Sequence, residues 1–328
     1  MASAKSLVGF LLLVLTLSSH FSEAQAQLSA NYYDASCPNL RAIVANAFLL
    51  QLNVTRLVAA PASLMRIAFH DCAVDGCQAS NLLSSQPGVT DEKLSPRNLG
   101  LNNVDIILNI KQTVEQSCPG IVSCADLIVL VAHEAIKYSA GPILPLEFGR
   151  KDAKTASTAA ATNQLLGPDA SVQQVLDAFA KMNIGVSGTV ALLGSHTLGV
   201  AHCANIVGRL YPPDATLSQP QNFAFLAQLQ AQCPQNYNPN TFVQNDVSNT
   251  LFDSAYYQGA MTGRGLLAID DQLARDPNTR SIVQNWAINT IGFRQEFQNA
   301  FLQMTRYKVL TGTGPDREVR RDCRFVNS

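Results

Sequence analysis

The sequence predicts a mainly α-helical protein of about ten helices. Apolar residues recur at steps of three and four, as in Ile43, Ala47, Leu50 and Val54, or Val104, Ile107, Ile110 and Val114. Ser and Pro stand where helices would begin, and Gly and Pro where they would end. No stretch alternates apolar and polar residues over a useful length, and no segment repeats another.

In chain order, residues 39–57 form the first helix. Pro61 suits the first turn of the second, where its missing N–H costs nothing, and that helix runs to Asp71. Residues 75–100 are polar and marked by Pro and Gly, hence mostly loop. A helix spans 104–114, and Cys118-Pro119-Gly120 breaks the chain. Ser123 caps a nearly all-apolar, buried helix over 124–138, which Ala140-Gly141-Pro142 ends. Residues 144–154 are extended or turn-like, and Gly167-Pro168 punctuates a loop. Ser171 caps a helix through Phe179. Ser187 is expected to cap the next, with Val190, Leu193 and His196 on one face. Residues 222–233 are helical, 234–250 a long polar loop and 252–261 helical. Residues 281–307 hold two more helices.

Length and composition set limits on function. The chain has 328 residues, 47% hydrophobic and only 14% charged, so it can bury a sizeable core. A net charge of −1 excludes a basic nucleic-acid surface or a polybasic membrane patch. Lys5, the apolar run from Gly9 to Leu17 and the small residues of Ala24-Gln25-Ala26 read as a secretion signal over residues 1–26. Cleavage after Ala26 leaves Gln27 first, and no later stretch is long enough to span a bilayer. Eight cysteines after the cut fit an oxidising compartment: Cys37, Cys72, Cys77, Cys118, Cys124, Cys203, Cys233 and Cys323. Spacing alone leaves their pairing open, Cys72 with Cys77 being the easiest local pair. Asn53-Val54-Thr55 is the one N-glycosylation sequon.

Two histidine-bearing segments carry the chemistry. On a helix, Arg66, Phe69 and His70 share a face at spacings i, i+3 and i+4. That face combines a permanent cation, an aromatic wall and a group that exchanges protons near neutral pH. His196 lies among small residues in Gly194-Ser195-His196-Thr197, where a flat ligand can approach closely. Two helices that each aim one His at a common gap suit a haem held between them.

The motif Arg66-Ile67-Ala68-Phe69-His70-Asp71-Cys72 and the motif Leu193-Gly194-Ser195-His196-Thr197 together resemble those of the class III secretory plant haem peroxidases. Asn31-Tyr32-Tyr33 to Cys37-Pro38-Asn39, Val122-Ser123-Cys124-Ala125-Asp126, and Phe252-Asp253 with Tyr256-Tyr257 also match. The resemblance covers nearly all of 27–328. It implies a two-lobed, all-helical fold with haem b between a distal helix and a proximal helix, the distal lobe over roughly 27–165 and the proximal lobe over roughly 166–328. It implies that His196 ligates the iron and that Asp271 accepts its N–H, with Asp270 the adjacent alternative. His70 would move the peroxide proton, oriented by Asn98 with Glu92 behind it; Arg66 would stabilise developing negative charge; Phe69 would wall the cofactor. The implied bridges are Cys37–Cys118, Cys72–Cys77, Cys124–Cys323 and Cys203–Cys233, and Asp126 with Arg150 match a buried ion pair.

The resemblance also implies up to two calcium ions. The distal positions are Asp71, Val74, Gly76 and Ser80; the proximal ones are Thr197, Asp246, Leu251 and Asp253. Several residues depart from the pattern. Gln78 stands where the distal site usually has Asp. The proximal loop is one residue short, so Ser248, Asn249 or Thr250 can fill the threonine ligand's place. Leu166 replaces a Pro that lines the donor site. The expected activity is a secreted, extracellular (cell-wall or apoplastic) enzyme. It would act as a monomer, reducing hydrogen peroxide to water while oxidising small phenolic donors by one-electron steps. The alternative is a calcium-dependent cell-wall structural protein on the same scaffold, with weak or no activity.

Overall fold

A computed structural model describes residues 28–55 and 59–328. The expected signal segment and its cleavage point lie outside these residues. Thirteen α-helices are present among them: α1 (Leu40–Thr55), α2 (Ala60–Ala73), α3 (Val104–Ser117), α4 (Cys124–Tyr138), α5 (Thr158–Gln164), α6 (Val172–Ala180), α7 (Val186–Leu193), α8 (Val207–Leu210), α9 (Phe223–Gln232), α10 (Ala255–Met261), α11 (Ala268–Leu273), α12 (Arg280–Trp286) and α13 (Thr290–Thr305). The strands are β1 (Asp152–Ala153), β2 (Val200–His202), β3 (Phe242–Gln244) and β4 (Arg317–Glu318), paired antiparallel as β1–β4 and β2–β3. The protein is helical, as its periodicity predicts.

The long helices follow the apolar pattern closely. Ser123 caps α4 by accepting the Asp126 N–H, and thirteen of its fifteen residues, Cys124 to Ile136, are buried. Ser171 caps α6 in a reciprocal box with Gln174. Three short helices, α5, α8 and α11, escaped the periodicity reading because four to seven residues give too few turns to show a period. The expected loop over 234–250 contains β3, whose partner β2 is far away in sequence. Ser187 does not cap α7: the helix begins at Val186, with Gly185 in the cap position and no side-chain cap bond.

Helix α2 packs against α4, and α7 against α13, so the two histidine segments ride on buried helices. One continuous core runs from Tyr33 to Cys323, and a smaller one gathers Cys203, Ile206, Leu210, Leu229 and Val243. The bridges are Cys37–Cys118, Cys72–Cys77, Cys124–Cys323 and Cys203–Cys233, and no described cysteine is free. By closing loops they remove conformations from the unfolded chain. Asp126 and Arg150 form a buried ion pair at 2.8 Å. Tyr33 donates to the same carboxylate, and Arg150 to the Thr305 carbonyl at the end of α13. The charges lie deep in the core and hold three distant segments in register, which fits specificity more than net stability.

Candidate active site

A cavity of about 410 Å³ opens between α2 on one side and the end of α7 on the other. Arg66, Phe69 and His70 line it from α2, as their spacing predicts; Leu192, Leu193, Ser195 and His196 line it from the opposite side.

Helix α2 presents its polar face through local geometry. Pro61 sits in its first turn, Leu64, Ile67 and Ala68 are fully buried, and the remaining face looks into the cavity. His70 Nδ1 lies 2.5 Å from Asn98 Oδ1, and Asn98 Nδ2 donates to the Glu92 carbonyl at 2.7 Å. The amide is therefore fixed with its oxygen towards the ring, and His70 carries its proton on Nδ1. The free Nε2 accepts from Arg66 Nε at 3.0 Å. Arg66 also donates to the carbonyls of Leu99 and Arg97, at 3.1 and 3.3 Å. Burial and the neighbouring Arg66 charge pull the His70 pKa down to about 3, with Asn98 pulling the other way. His70 is thus a neutral base, with its one lone pair turned to the guanidinium and the cavity. Phe69 stands edge-on to His70 and stacks on Phe179 from α6.

His196 lies just beyond α7, in a tighter turn over Gly194–Thr197, rather than on the helix as expected. Gly194 lets Tyr257 and Phe293 pack closely against that turn, since a Cβ there would collide with the Tyr257 hydroxyl and the Phe293 ring. His196 Nδ1 is 2.8 Å from Asp270 Oδ1. Asp271, the expected partner, does not hold the ring: it accepts instead from Thr216 at 2.5 Å and Arg275 at 2.7 Å, with Arg209 3.8 Å away. Adjacent residues of a helix point about 100° apart, so only one of two consecutive acids can face the histidine. Asp270 also accepts from the Tyr256 hydroxyl and the Leu267 N–H, each at 3.0 Å. Tyr256 was part of a recognised motif, but nothing in its spacing assigns it to this carboxylate. The His196 side chain is 32% exposed against 3% for Asp270, so the ring has one accessible edge and a sealed partner. With Nδ1 engaged, Nε2 is the nitrogen left for a metal. The apolar walls and this nitrogen fit a haem.

The positions implied for calcium gather oxygen atoms on both sides of the cavity. Asp71 is fully buried; Oδ2 accepts from the Ala79 N–H, but Oδ1 and Ser80 Oγ have no hydrogen-bond partner among the described residues. Burial pushes the Asp71 carboxyl up to about 8, partly offset by the Ala79 N–H. A cation would satisfy both orphaned oxygens and hold the carboxylate ionised. Gly76 permits the fold of this loop: its φ is +110°, and a Cβ would strike the Lys308 backbone. On the other side, Thr197 donates to Asp246 at 2.6 Å and approaches Asp253 at 3.3 Å and the Leu251 carbonyl at 3.5 Å. Ser248, one of three candidates for the missing ligand, closes the ring by donating to Asp253 at 3.0 Å. Both oxygen-rich groups suit calcium better than a softer metal.

Leu166 lines the cavity mouth and is half exposed. Arg97, on which the sequence reading placed no role, lines the same mouth. His133 is buried and accepts from the Leu144 N–H, a structural role.

A family model described as Peroxidase matches residues 41–289. The chain is 37% identical to Peroxidase 29 of Arabidopsis thaliana over 87% of this chain and 85% of that protein. It is 35% identical to Peroxidase 21 of the same plant, and 34% to Peroxidase 2 of Oryza sativa subsp. japonica, over the full length of both chains in each case.

Proposed function

Because the chain belongs to the plant peroxidase family and is a haem peroxidase, we propose that it is secreted and reduces hydrogen peroxide at the expense of small phenols. The observation that carries the reading is the pair of histidine devices on facing walls of one cavity. His70 is held by Asn98 and Arg66, and His196 is held by Asp270.

Haem b, when bound, supplies the redox chemistry, and His196 is the residue to hold its iron. Asp270 accepts the Nδ1 proton of His196 and makes the ring a stronger donor. On the opposite wall His70 Nε2 takes a proton from peroxide and returns it to the departing oxygen, which leaves as water. Asn98 keeps the other ring nitrogen protonated throughout. Arg66 is already aimed at the same point and stabilises negative charge as it develops on the leaving oxygen. Phenols would reach the cavity past Leu166.

Calcium at the Asp71–Ser80 loop and at the Thr197–Asp246–Ser248–Asp253 group would brace the segments that carry the two histidines. Asp71 adjoins His70, and Thr197 adjoins His196. Four disulfides and the leader-like start support export to the extracellular space. Asn53 is exposed and open to glycosylation. The mature protein is proposed to be a monomer beginning at Gln27.

The test is an absorption spectrum of the purified mature protein with haem. A haem band that moves on adding peroxide and returns on adding a phenol is expected. A band indifferent to peroxide would favour the structural cell-wall protein instead.

A further inference from the structure

We propose that the Arg97 guanidinium selects donors that carry a carboxylate, so that anionic phenols are used in preference to neutral ones of the same shape. The inference rests on the reading that phenols enter this cavity. It adds a specificity-determining residue that no motif assigned.

The main chain of Arg97 is tied down on both sides. Its N–H donates to Ser95 Oγ at 3.2 Å, and its carbonyl accepts from Arg66. The side chain is left to act, and it lines the mouth with Pro96, Leu166, Gly167 and Pro168. Gly167 gives it room: a Cβ at that position would collide with Arg97 Nη1 and, on the other flank, with Asp169 Oδ1. Asp169 is exposed and forms no ion pair with the guanidinium, and Arg97 has no other side-chain partner among the described residues.

Charge around the cavity points the same way. The chain as a whole is at −1, yet the cavity lining includes Arg66 and Arg97 and not one carboxylate among the described residues. Arg66 is engaged deep inside with His70 and two carbonyls. Arg97 is therefore the cation available to an incoming molecule. A low-dielectric cleft lined by one sign of charge concentrates the field on the opposite charge. An apolar ring would lie along Leu166 while a carboxylate on its tail meets the guanidinium, whose fork matches the two oxygens.

The experiment compares kcat/KM of the holoenzyme for 3-(4-hydroxyphenyl)propionate and for its neutral amide. Their ratio cancels any change in the peroxide step. Arg97→Gln should lower the acid-to-amide ratio by about three- to tenfold at low salt, the range of a partly exposed charge pair. Arg97→Glu should invert the preference, and Asp169→Asn should raise the ratio by removing the flanking negative charge. Salt near about 1 M, where the screening length falls to roughly 3 Å, should erase most of the difference. An unchanged ratio in both Arg97 variants would overturn the proposal. If neither compound is oxidised, the donor reading itself has failed. Equilibrium dialysis of the two compounds then decides the matter for Arg97, and equal binding of the acid to the parent protein and to Arg97→Gln rejects it.

Discussion

Two consecutive acids, Asp270 and Asp271, differ sharply in surroundings, and replacing each with Asn should separate their roles. Asp270 accepts the His196 Nδ1 proton at 2.8 Å from a site only 3% exposed. An ionic acceptor is worth about 1.5–3 kcal/mol and a neutral one about 0.5–1.5 kcal/mol. Asp270→Asn therefore removes roughly 1–2 kcal/mol of the push that His196 gives to a bound ferric iron. For a one-electron couple about 59 mV corresponds to a tenfold change, or about 1.4 kcal/mol. The ferric/ferrous potential of the haem-loaded protein should rise by about 40–90 mV. Asp271 is different, because it pairs with Arg275 at 2.7 Å and Arg209 at 3.8 Å rather than with the His196 ring. Asp271→Asn should move the potential by less than about 20 mV. It should instead lower the melting temperature of the protein, because the buried Asp271 carboxylate accepts from Thr216 and Arg275. Arg209 keeps its closer countercharge, Asp214 at 2.8 Å, so the loss is that of the Asp271 hydrogen bonds, about 1–3 kcal/mol. Spectroelectrochemical titration and thermal melts of both variants separate the two effects. A potential shift in Asp271→Asn as large as in Asp270→Asn would refute the assignment.

Three further outcomes are expected. His70→Ala should slow the reaction with peroxide by about 10²-fold or more while haem stays bound, a loss typical of a removed acid–base group; stopped-flow absorbance reads this, and an unchanged rate counts against His70 as the base. With its pKa pulled down to about 3, His70 stays neutral across the working range. The peroxide step should be flat from about pH 8 to 5 and fall only as the imidazolium forms nearer pH 3, whereas a midpoint near the ordinary value of about 6.5 would contradict the burial argument. The distal calcium should be held more weakly than the proximal one, because Gln78 supplies no charge and Asp71 is left as the one carboxylate among the positions implied for that loop. Mild chelation followed by metal analysis should remove it first, and Gln78→Asp should restore it with a gain of about 10- to 100-fold in affinity; two ions retained equally by the unmodified protein would show that a neutral amide suffices.

The sequence by itself determined the helices long enough to repeat their period. It also determined the cluster Arg66, Phe69 and His70, because residues one helical turn apart share a face wherever the helix is placed. Ser123 and Ser171 could be read as caps, since a cap is made within a few residues of its own helix. Shorter elements needed their neighbours: α8 has four residues, and β3 exists only because β2 lies beside it. Ser187 looked like a cap and is not one, because α7 begins at Val186 and Ser187 already lies inside it. The choice between Asp270 and Asp271 was likewise beyond the sequence. Both carboxylates are chemically able to hold His196, and the choice turns on how α11 is rotated about its axis. That rotation is set by Tyr256, Thr216 and Arg209, which meet these two acids only when other segments pack against α11. The same holds at the cavity mouth. Arg97 and Gly167 are seventy residues apart, and only the folded chain lays the guanidinium against the glycine. Local chemistry follows from spacing along one element; partnership between elements follows from packing, which no spacing encodes.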